Sequence, residues 1–290
     1  MVDKDRTALA AFAGGTFLAG ANAVAVRFSN RELDPLWGAS LRFALAAALL
    51  GAVMAALGLA LPRRRALLGV LLYGSLMFGG AFALAYYALV RIHAGLGQTL
   101  LALVPLATLL LAAVQHQERL RLAALTGTLL SIAGIAVTSG VSGRESVPLV
   151  SLFAILGAVV CFAQATVLVR RFPPVHPVTM NAVGMAAGAL ILLVLSLIAG
   201  EEIASPERTA TWLAIAYMVV LGSGPVFVLY LVVVRLWSAS RAAYTFVLIP
   251  IVTVILSAWL DDEPIGAGLL LGGPLVLAGV YVGALRPGRG

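Results

Sequence analysis

The residues of this chain that are best suited to bind a small molecule are polar side chains inside long apolar stretches. Four of them come within two helical turns before a proline: Gln98, Thr99, Tyr244 and Thr245. Each proline, Pro105 and Pro250, removes one backbone hydrogen bond and frees the carbonyl of the residue four positions earlier. Unpaired polar groups are costly in hydrocarbon, so they should face protein or a wet cavity. We predict that the four residues contact substrate and that both prolines serve gating, with kinks for packing alone as the alternative.

Aromatic and amide side chains extend this set of candidates. Phe82 and Tyr86 lie four residues apart, so they share one face of a helix. Such a face fits core packing as well as a binding surface. Asparagine, glutamine and serine in apolar stretches can supply the few polar groups that orient a ligand. The further candidates for substrate binding are Phe82, Tyr86, Asn22, Gln164, Ser223 and Tyr230.

Arg42 is the only charged residue well inside an apolar stretch, seven residues after Pro35. At about 1.5 Å per residue it lies ~10 Å beyond that proline. A charge at this depth needs a partner or a route to the membrane surface. Arg42 could bind a substrate carboxylate, or it could reach Glu32, Asp34 or a lipid phosphate and serve the structure.

The acidic residues and histidines offer no obvious path for protons. All twelve acids, including Glu118 and Glu263, lie at helix ends or in loops, and so do the three histidines. Buried carboxylates and histidines are the usual proton carriers in membrane proteins. We therefore expect Glu118 and Glu263 to have structural roles, with proton coupling through Glu118 as the alternative.

The elements that must position these residues are identified by composition as membrane helices. The chain has 290 residues, of which 62% are hydrophobic and 11% are charged, and its mean hydropathy is +1.06. These values exclude a soluble fold. Ten apolar stretches are each long enough to cross ~30 Å of hydrocarbon. We predict an all-α integral membrane protein with ten transmembrane helices.

The orientation in the membrane follows from the positive charges. Thirteen of the 19 Lys and Arg residues fall on one side if the amino terminus is inside, and five fall on the other. Cytoplasmic loops carry the excess of positive charge. We predict that both termini are cytoplasmic and that the protein spans a bacterial plasma membrane several times.

The two halves of the chain repeat each other. A shift of 145 residues places Pro105 on Pro250 and Glu118 on Glu263. Because each half holds five helices, an odd number, the second half must enter the membrane from the opposite side. We predict two inverted five-helix repeats, at residues 1–145 and 146–290, with a binding site between them near the midplane.

Several short motifs, taken in order, resemble the EamA family of the drug/metabolite transporter superfamily. They are Pro35 with Leu41-Arg42-Phe43, Tyr86-Tyr87-Ala88, Pro105 with Glu118-Arg119-Leu120, Gly127 and Gly134, and in the second half Pro250, Glu263-Pro264, Gly272 and Gly279. The chain departs from the family in its first helix, which has Gly14-Gly15-Thr16-Phe17 where the family often has Trp-Gly. The resemblance implies two EamA repeats. It also includes an arginine at position 42 across varied substrates, which favours the structural role for Arg42.

These observations together predict a secondary transporter that exports small amphiphilic metabolites by alternating access. Amino acids head the candidates because the resemblance implies them, and the lack of a buried acid favours uniport or exchange. We expect a monomer or weak homodimer that contacts substrate and bilayer, with no cofactor, metal or nucleic acid. Proton-coupled drug or metabolite efflux is the alternative. The other classes are a membrane sensor or assembly subunit without transport, and an intramembrane enzyme, for which no catalytic motif is present.

Overall fold

The computed structural model describes residues 2–89, 100–138, 148–260 and 267–285, and within these ranges the regular structure is helical. The helices of the first half are α1 (Val2–Ser29), α2 (Pro35–Ala56), α3 (Arg64–Gly74, Ser75–Gly80 and Ala81–Leu89), α4 (Val104–Val114) and α5 (Leu122–Thr138). The helices of the second half are α6 (Leu149–Arg171), α7 (Pro177–Ala199), α8 (Thr209–Tyr217, Met218–Ser223 and Gly224–Leu236), α9 (Ala239–Ala242 and Thr245–Leu260) and α10 (Ala267–Val280 and Tyr281–Leu285). The described ranges thus contain ten apolar helical spans, which confirms the predicted all-α membrane fold.

The sequence places the boundaries of several helices by ordinary rules. Pro35 and Pro177 begin α2 and α7, where a missing backbone N–H costs nothing. Gly200 ends α7 in the left-handed conformation, with φ of 73°, which glycine adopts without strain. Five uninterrupted or nearly uninterrupted helices, α2, α3, α6, α7 and α8, are long and apolar enough to cross a membrane.

The packing of the ten helices follows the two inverted repeats. Helix α2 packs along α7, and α5 packs along α10, so each pair joins equivalent helices of the two halves. Helix α1 packs on α8 and α9, while its equivalent, α6, packs on α3 and α4. The main contacts between the described parts of the two repeats therefore occur in equivalent pairs, and a central space remains between the halves.

The third helix of each repeat contains a π-helical segment in its middle. These segments are Ser75–Gly80 in α3 and Met218–Ser223 in α8, at equivalent places in the two halves. π-Helical turns are rare and occur frequently at functional sites. They shift the register of side chains on either side, so each helix presents different faces above and below the segment.

The two prolines predicted to kink their helices have different surroundings. Pro250 lies inside the Thr245–Leu260 part of α9, as predicted. Pro105 instead lies in the first turn of α4, directly after a turn at residues 102–103. The prediction that Pro105 lies in the middle of its helix is therefore wrong. A helical segment that begins at Val104 needs no backbone N–H at position 105, so a proline fits there.

Candidate functional site

A cavity of about 190 Å³ lies between the two repeats, and α1, α2, α3, α6, α8 and α9 supply its walls. Its lining is mostly aromatic and aliphatic: Ala11, Phe12, Gly15, Ala19, Asn22, Val26, Arg42, Phe82, Phe162, Val226, Phe227, Tyr230, Val233, Thr245, Phe246 and Ile249. A concave apolar space with a few polar groups is the usual form of a small-molecule site. The location between inverted repeats is where a transporter binds its substrate.

Four aromatic rings form a continuous wall of the cavity. Phe82 and Phe162 have ring centroids 5.8 Å apart, Phe162 and Phe246 are 5.0 Å apart, and Phe246 and Tyr230 are 5.9 Å apart. Tilted and edge-to-face rings at these distances attract one another and hold a fixed shape. The hydroxyl of Tyr230 is hydrogen-bonded to Thr166 at 2.8 Å, so the phenol is anchored to α6.

Arg42 is the charged group of the cavity, and its side chain reaches from α2 to the π segment of α8. It is only 3% exposed. Its Nε donates to Ser223 Oγ at 2.8 Å, and one terminal nitrogen donates to the carbonyl of Gly222 at 3.4 Å. The guanidinium carbon also lies 4.9 Å from the ring centroid of Phe43 and 5.9 Å from that of Phe82. Stacking on rings weakly stabilises the cation, but these contacts carry no negative charge.

Asn22 approaches the same backbone carbonyl from α1. Its Nδ2 donates to the carbonyl of Gly222 at 2.7 Å, so Asn22 and Arg42 share one acceptor. Its Oδ1 is buried and has no hydrogen-bond partner among the described residues. A Cβ atom on Gly222 would lie 2.0 Å from that oxygen, so only glycine allows this approach. At the polar edge of the cavity, the π segment of α8 is therefore bonded to α1 through Asn22 and to α2 through Arg42.

The two acids that were considered as structural partners of Arg42, Glu32 and Asp34, accept hydrogen bonds from backbone N–H groups between α7 and α8 instead. Glu32 accepts hydrogen bonds from the backbone N–H groups of Glu207 and Arg208, before α8 begins. The Thr211 hydroxyl, followed by the Glu207 N–H, lowers the pKa of Glu32 below its ordinary value. Asp34 accepts from the backbone N–H of Glu202 at 2.9 Å. These carboxylates tie the loop before α2 to the loop before α8, and the charge of Arg42 stays on the cavity.

The opposite end of the bundle is held by Glu118, which follows α4. Its carboxylate accepts hydrogen bonds from the backbone N–H and the hydroxyl of Ser240, in the first turn of α9. Arg170 at the end of α6 lies 4.0 Å away. Nearby, Trp237 packs on the cavity residue Phe12 with ring centroids 5.6 Å apart. Glu118 thus joins α4, α6 and α9 at the end of the bundle where Trp237 packs on Phe12.

Comparison with known proteins decides the family. A sequence model described as the EamA-like transporter family matches this chain twice, at residues 6–140 and 149–284. The chain belongs to this family. This confirms the resemblance drawn from the sequence motifs.

Individual relatives agree with this membership in the EamA family. The chain is 31% identical over 249 residues to a probable terminal-alkyne amino-acid exporter of Streptantibioticus cattleyicolor, covering 83% of this chain and 81% of that protein. It is 26% identical over 241 residues to the uncharacterized inner membrane transporter YedA of Escherichia coli K12, covering 82% and 78%. A crystal structure at 20% identity superposes with a TM-score of 0.82 over 97% of both chains, which supports the fold. The EamA membership and these relatives identify a multi-pass membrane transporter.

The cavity of this EamA family member collects part of the predicted site. Asn22, Phe82, Tyr230 and Thr245 line the cavity, and Ser223 holds Arg42. Tyr86 packs on Phe82 with ring centroids 6.1 Å apart, behind the wall. Gln98, Thr99 and Glu263 lie outside the described residues.

Two predicted residues lie away from the cavity. The hydroxyl of Tyr244 bonds to Thr128 and to the carbonyl of Ala124, both at 2.9 Å, so this side chain packs against α5. Gln164 accepts a hydrogen bond from Gln115 at 2.8 Å, between α6 and α4. Tyr244 lies in the turn directly before the Thr245–Leu260 helix, and its hydroxyl is directed to α5 although Thr245 and Phe246 line the cavity. The depth of these residues was predictable, but their direction around the helix was not.

The sequence reasoning missed three cavity rings and the role of one backbone group. The rings of Phe12, Phe162 and Phe246 were not singled out, because isolated phenylalanines in apolar stretches carry no distinguishing pattern. The carbonyl of Gly222 accepts hydrogen bonds from two side chains. A backbone acceptor cannot be predicted from residue type, because every residue has a carbonyl group. The glycine itself was the available clue, since glycine often marks a close approach to backbone.

Proposed function

We propose that this protein is a secondary transporter that exports small amphiphilic metabolites, including amino acids, by alternating access. The observation that carries the proposal is the cavity that both repeats line, with an aromatic wall beside a buried arginine. The similarity to a probable amino-acid exporter supports the substrate class. We place the protein in the bacterial inner membrane as a monomer or weak homodimer, with both termini cytoplasmic.

The size and lining of the cavity support a small, partly apolar substrate. The cavity volume of about 190 Å³ equals the volume of roughly six water molecules. It lies below the range of roughly 300–1,000 Å³ that is usual for pockets that bind drug-sized ligands. Phe82, Phe162 and Phe246 offer aromatic surface, whereas Asn22 and Arg42 supply polarity at one edge. A substrate with one polar end and one apolar end matches this division.

The contacts at the two ends of the bundle are the natural gates of alternating access. At the end that we take as cytoplasmic, Glu118 bonds to Ser240, and Trp237 packs on Phe12. At the other end, Glu201 accepts from the N–H groups of Leu36 and Trp37 and ties α7 to α2. Opening on either side must release one of these sets of contacts.

Uniport or exchange is the coupling that the cavity supports best. None of the described residues that line it is an acid or a histidine. A proton carried with the substrate would therefore have to use Glu118, which lies at the bundle end beside Ser240. Transport that runs down the substrate gradient without an imposed pH difference would match uniport.

Counterflow in liposomes tests the proposed function directly. Proteoliposomes loaded with unlabelled leucine or phenylalanine should take up the labelled amino acid faster than liposomes without protein. Replacing the cavity residue Ala19 with leucine should fill the cavity and abolish this uptake. The matched control is Ala13→Leu, which adds the same side chain at an exposed position of the same helix. Uptake that survives Ala19→Leu and matches the control would place the pathway elsewhere.

A further inference from the structure

Arg42 carries a buried charge that the described residues leave uncompensated. Its side chain is 3% exposed, and its two hydrogen bonds go to the neutral oxygens of Ser223 and Gly222. The nearby acids Glu32 and Asp34 are bound to backbone N–H groups. An isolated charge within a membrane protein is costly unless an opposite charge or water reaches it. Among the described residues no carboxylate is bonded to Arg42, and the cavity is the space from which a negative partner can reach it.

The guanidinium has donors left for such a partner. Arginine has five N–H donors, and the contacts to Ser223 and Gly222 use one on Nε and one on a terminal nitrogen. Three donors remain on the terminal nitrogens. A guanidinium presents such donors in a planar fork that matches the two oxygens of a carboxylate. Ser223 and Gly222 thus fix the orientation of the fork without occupying it.

We propose that the cavity recognises small monocarboxylates, whose carboxylate binds the terminal nitrogens of Arg42 while the apolar tail lies on the aromatic wall. This inference rests on the proposed function, because it takes the cavity as the substrate site. It defines the class more narrowly: the carboxylate is the required group, whereas an amino group beside it is optional. Phe82 joins both parts, since it lines the wall and lies 5.9 Å from the guanidinium carbon.

A purely structural role explains less of what is observed at Arg42. A tie from α2 to Ser223 and Gly222 needs only neutral donors, which glutamine would supply without the cost of a buried charge. Anchoring to lipid phosphate would direct the side chain toward the membrane surface, whereas Arg42 lines the cavity. A recurring anionic ligand accounts for both the charge and its location.

Binding of a matched six-carbon series tests the inference on the purified, full-length protein. The probes are hexanoate, hexanamide, hexylamine and norleucine, measured by titration calorimetry and by ligand-induced thermal shift. A ligand of the native state raises its stability, so both readouts report binding. We expect hexanoate and norleucine to bind at least tenfold more tightly than hexanamide, and hexylamine to bind more weakly still.

Variants of Arg42 and its neighbour separate recognition from structure. In Arg42→Gln the preference for hexanoate over hexanamide should fall to about one. In Ser223→Ala, which keeps the charge, the preference should persist. If Arg42→Gln does not yield folded protein, two other measurements decide the question. One is the ratio of hexanoate to hexanamide affinity in the wild-type protein, and the other is the same ratio in Arg42→Lys, where the preference should shrink but remain.

Two results would overturn the inference. One is equal binding of hexanoate and hexanamide by the wild-type protein, and the other is an undiminished preference in Arg42→Gln. Counterflow of norleucine distinguishes this failure from failure of the proposed function. If norleucine is transported without a carboxylate preference, the transporter stands and the role of Arg42 falls. If norleucine is not transported, the proposed function falls. The ratio of hexanoate to hexanamide affinity then still shows whether Arg42 binds a carboxylate.

Discussion

The second helices of the two repeats carry different residues seven positions after their first proline, and one of these residues lines a cavity while the other lies in a packed interface. Arg42 lies seven residues after the proline that begins α2, and Gly184 lies seven residues after the proline that begins α7. Arg42 reaches the π segment of α8 through hydrogen bonds. Gly184 lies against Gly74, directly before the π segment of α3, where a Cβ on Gly74 would be 2.3 Å from the Gly184 carbonyl oxygen.

The comparison shows how equivalent helices of two inverted repeats can have different surroundings. Around Gly184 the helices are in direct backbone contact, and Gly188 packs on Phe78 so closely that a Cβ would lie 2.3 Å from it. The buried Asn181 accepts a hydrogen bond from Tyr73 at 3.3 Å and fills the remaining space. Around Arg42 a long side chain instead bridges α2 and α8 and lines the cavity. The arginine thus lies beside a cavity, whereas the glycine lies in a closely packed interface.

The largest expected effect is loss of stability when the packed interface is disturbed. In Gly74→Ala the new methyl group meets the backbone of Gly184, which cannot move aside as a side chain would. We expect destabilisation of about 3 kcal/mol, at the upper end for overpacking, measured as a lower melting temperature in detergent.

The control for this prediction is Gly51→Ala, a helical glycine in α2 whose added Cβ meets nothing within 4 Å. It should be neutral or stabilise by about 0.5–1 kcal/mol, as alanine does in a helix. Equal melting temperatures for the two variants would show that the α3–α7 contact is looser than described.

A smaller effect is expected at Gly222, the glycine contact within the π segment of α8. In Gly222→Ala the new Cβ meets the Asn22 side chain, which can rotate away after losing its hydrogen bond. We expect a loss of about 2 kcal/mol in stability and weaker substrate binding.

A double-mutant cycle tests this explanation of Gly222→Ala. Adding Asn22→Ala removes the obstructing side chain, so the two changes should be non-additive by about 1 kcal/mol. Strict additivity would mean that Asn22 is not what Gly222 must accommodate. Gly74→Ala has no such rescue because its obstacle is backbone.

The orientation of Arg42 should depend modestly on Ser223. In Ser223→Ala the Nε of Arg42 loses its acceptor at 2.8 Å, which should weaken carboxylate binding by about 1 kcal/mol, or fivefold, without changing its selectivity. Titration calorimetry with hexanoate measures the change. An unchanged dissociation constant would show that Gly222 alone positions the guanidinium.

The smallest effect concerns the hydrogen bonds of Glu32, which tie the loop before α2 to the loop before α8. Hydrogen bonds from Thr211 and from the Glu207 N–H lower the pKa of Glu32. A lowered pKa in the folded state means that the ionised group stabilises the fold near neutral pH and that this contribution disappears as pH falls through the lowered pKa.

Melting temperatures measured between pH 7 and pH 3 test this tie. Wild type should exceed Glu32→Gln slightly at pH 7, and the difference should shrink toward pH 3. Glu207→Gln is the control, because its side chain is not the acceptor in this tie. A difference that stays constant with pH would show that ionisation of Glu32 does not stabilise the protein.

The fold was predictable from the sequence because lipid imposes few solutions. Long apolar stretches must become helices in hydrocarbon, so the ten spans and the two repeats could be read directly. The residues at Asn22, Phe82 and Tyr230 were also found, because polar and aromatic groups at membrane depth are conspicuous.

The parts that could not be predicted depend on rotation about helix axes. A π segment changes the register of a helix without a characteristic residue type, so Met218–Ser223 left no pattern to detect. The direction of Tyr244 toward α5 depends on which helices surround α9, which only the assembled bundle decides. The partners of Arg42 could not be chosen for the same reason, since Glu32 is near in sequence but accepts hydrogen bonds from the loop before α8.

The oxygen that Asn22 and Arg42 share belongs to the main chain, and this has a consequence for how such proteins can diversify. A side-chain acceptor can be exchanged by a single codon change, whereas a main-chain carbonyl is present whatever residue the codon encodes. Position 222 must stay glycine for Asn22 to reach that carbonyl, so variation at this edge falls on the two donors. A lineage that replaces residue 22 or 42 can alter the polar edge of the cavity while it keeps the same acceptor.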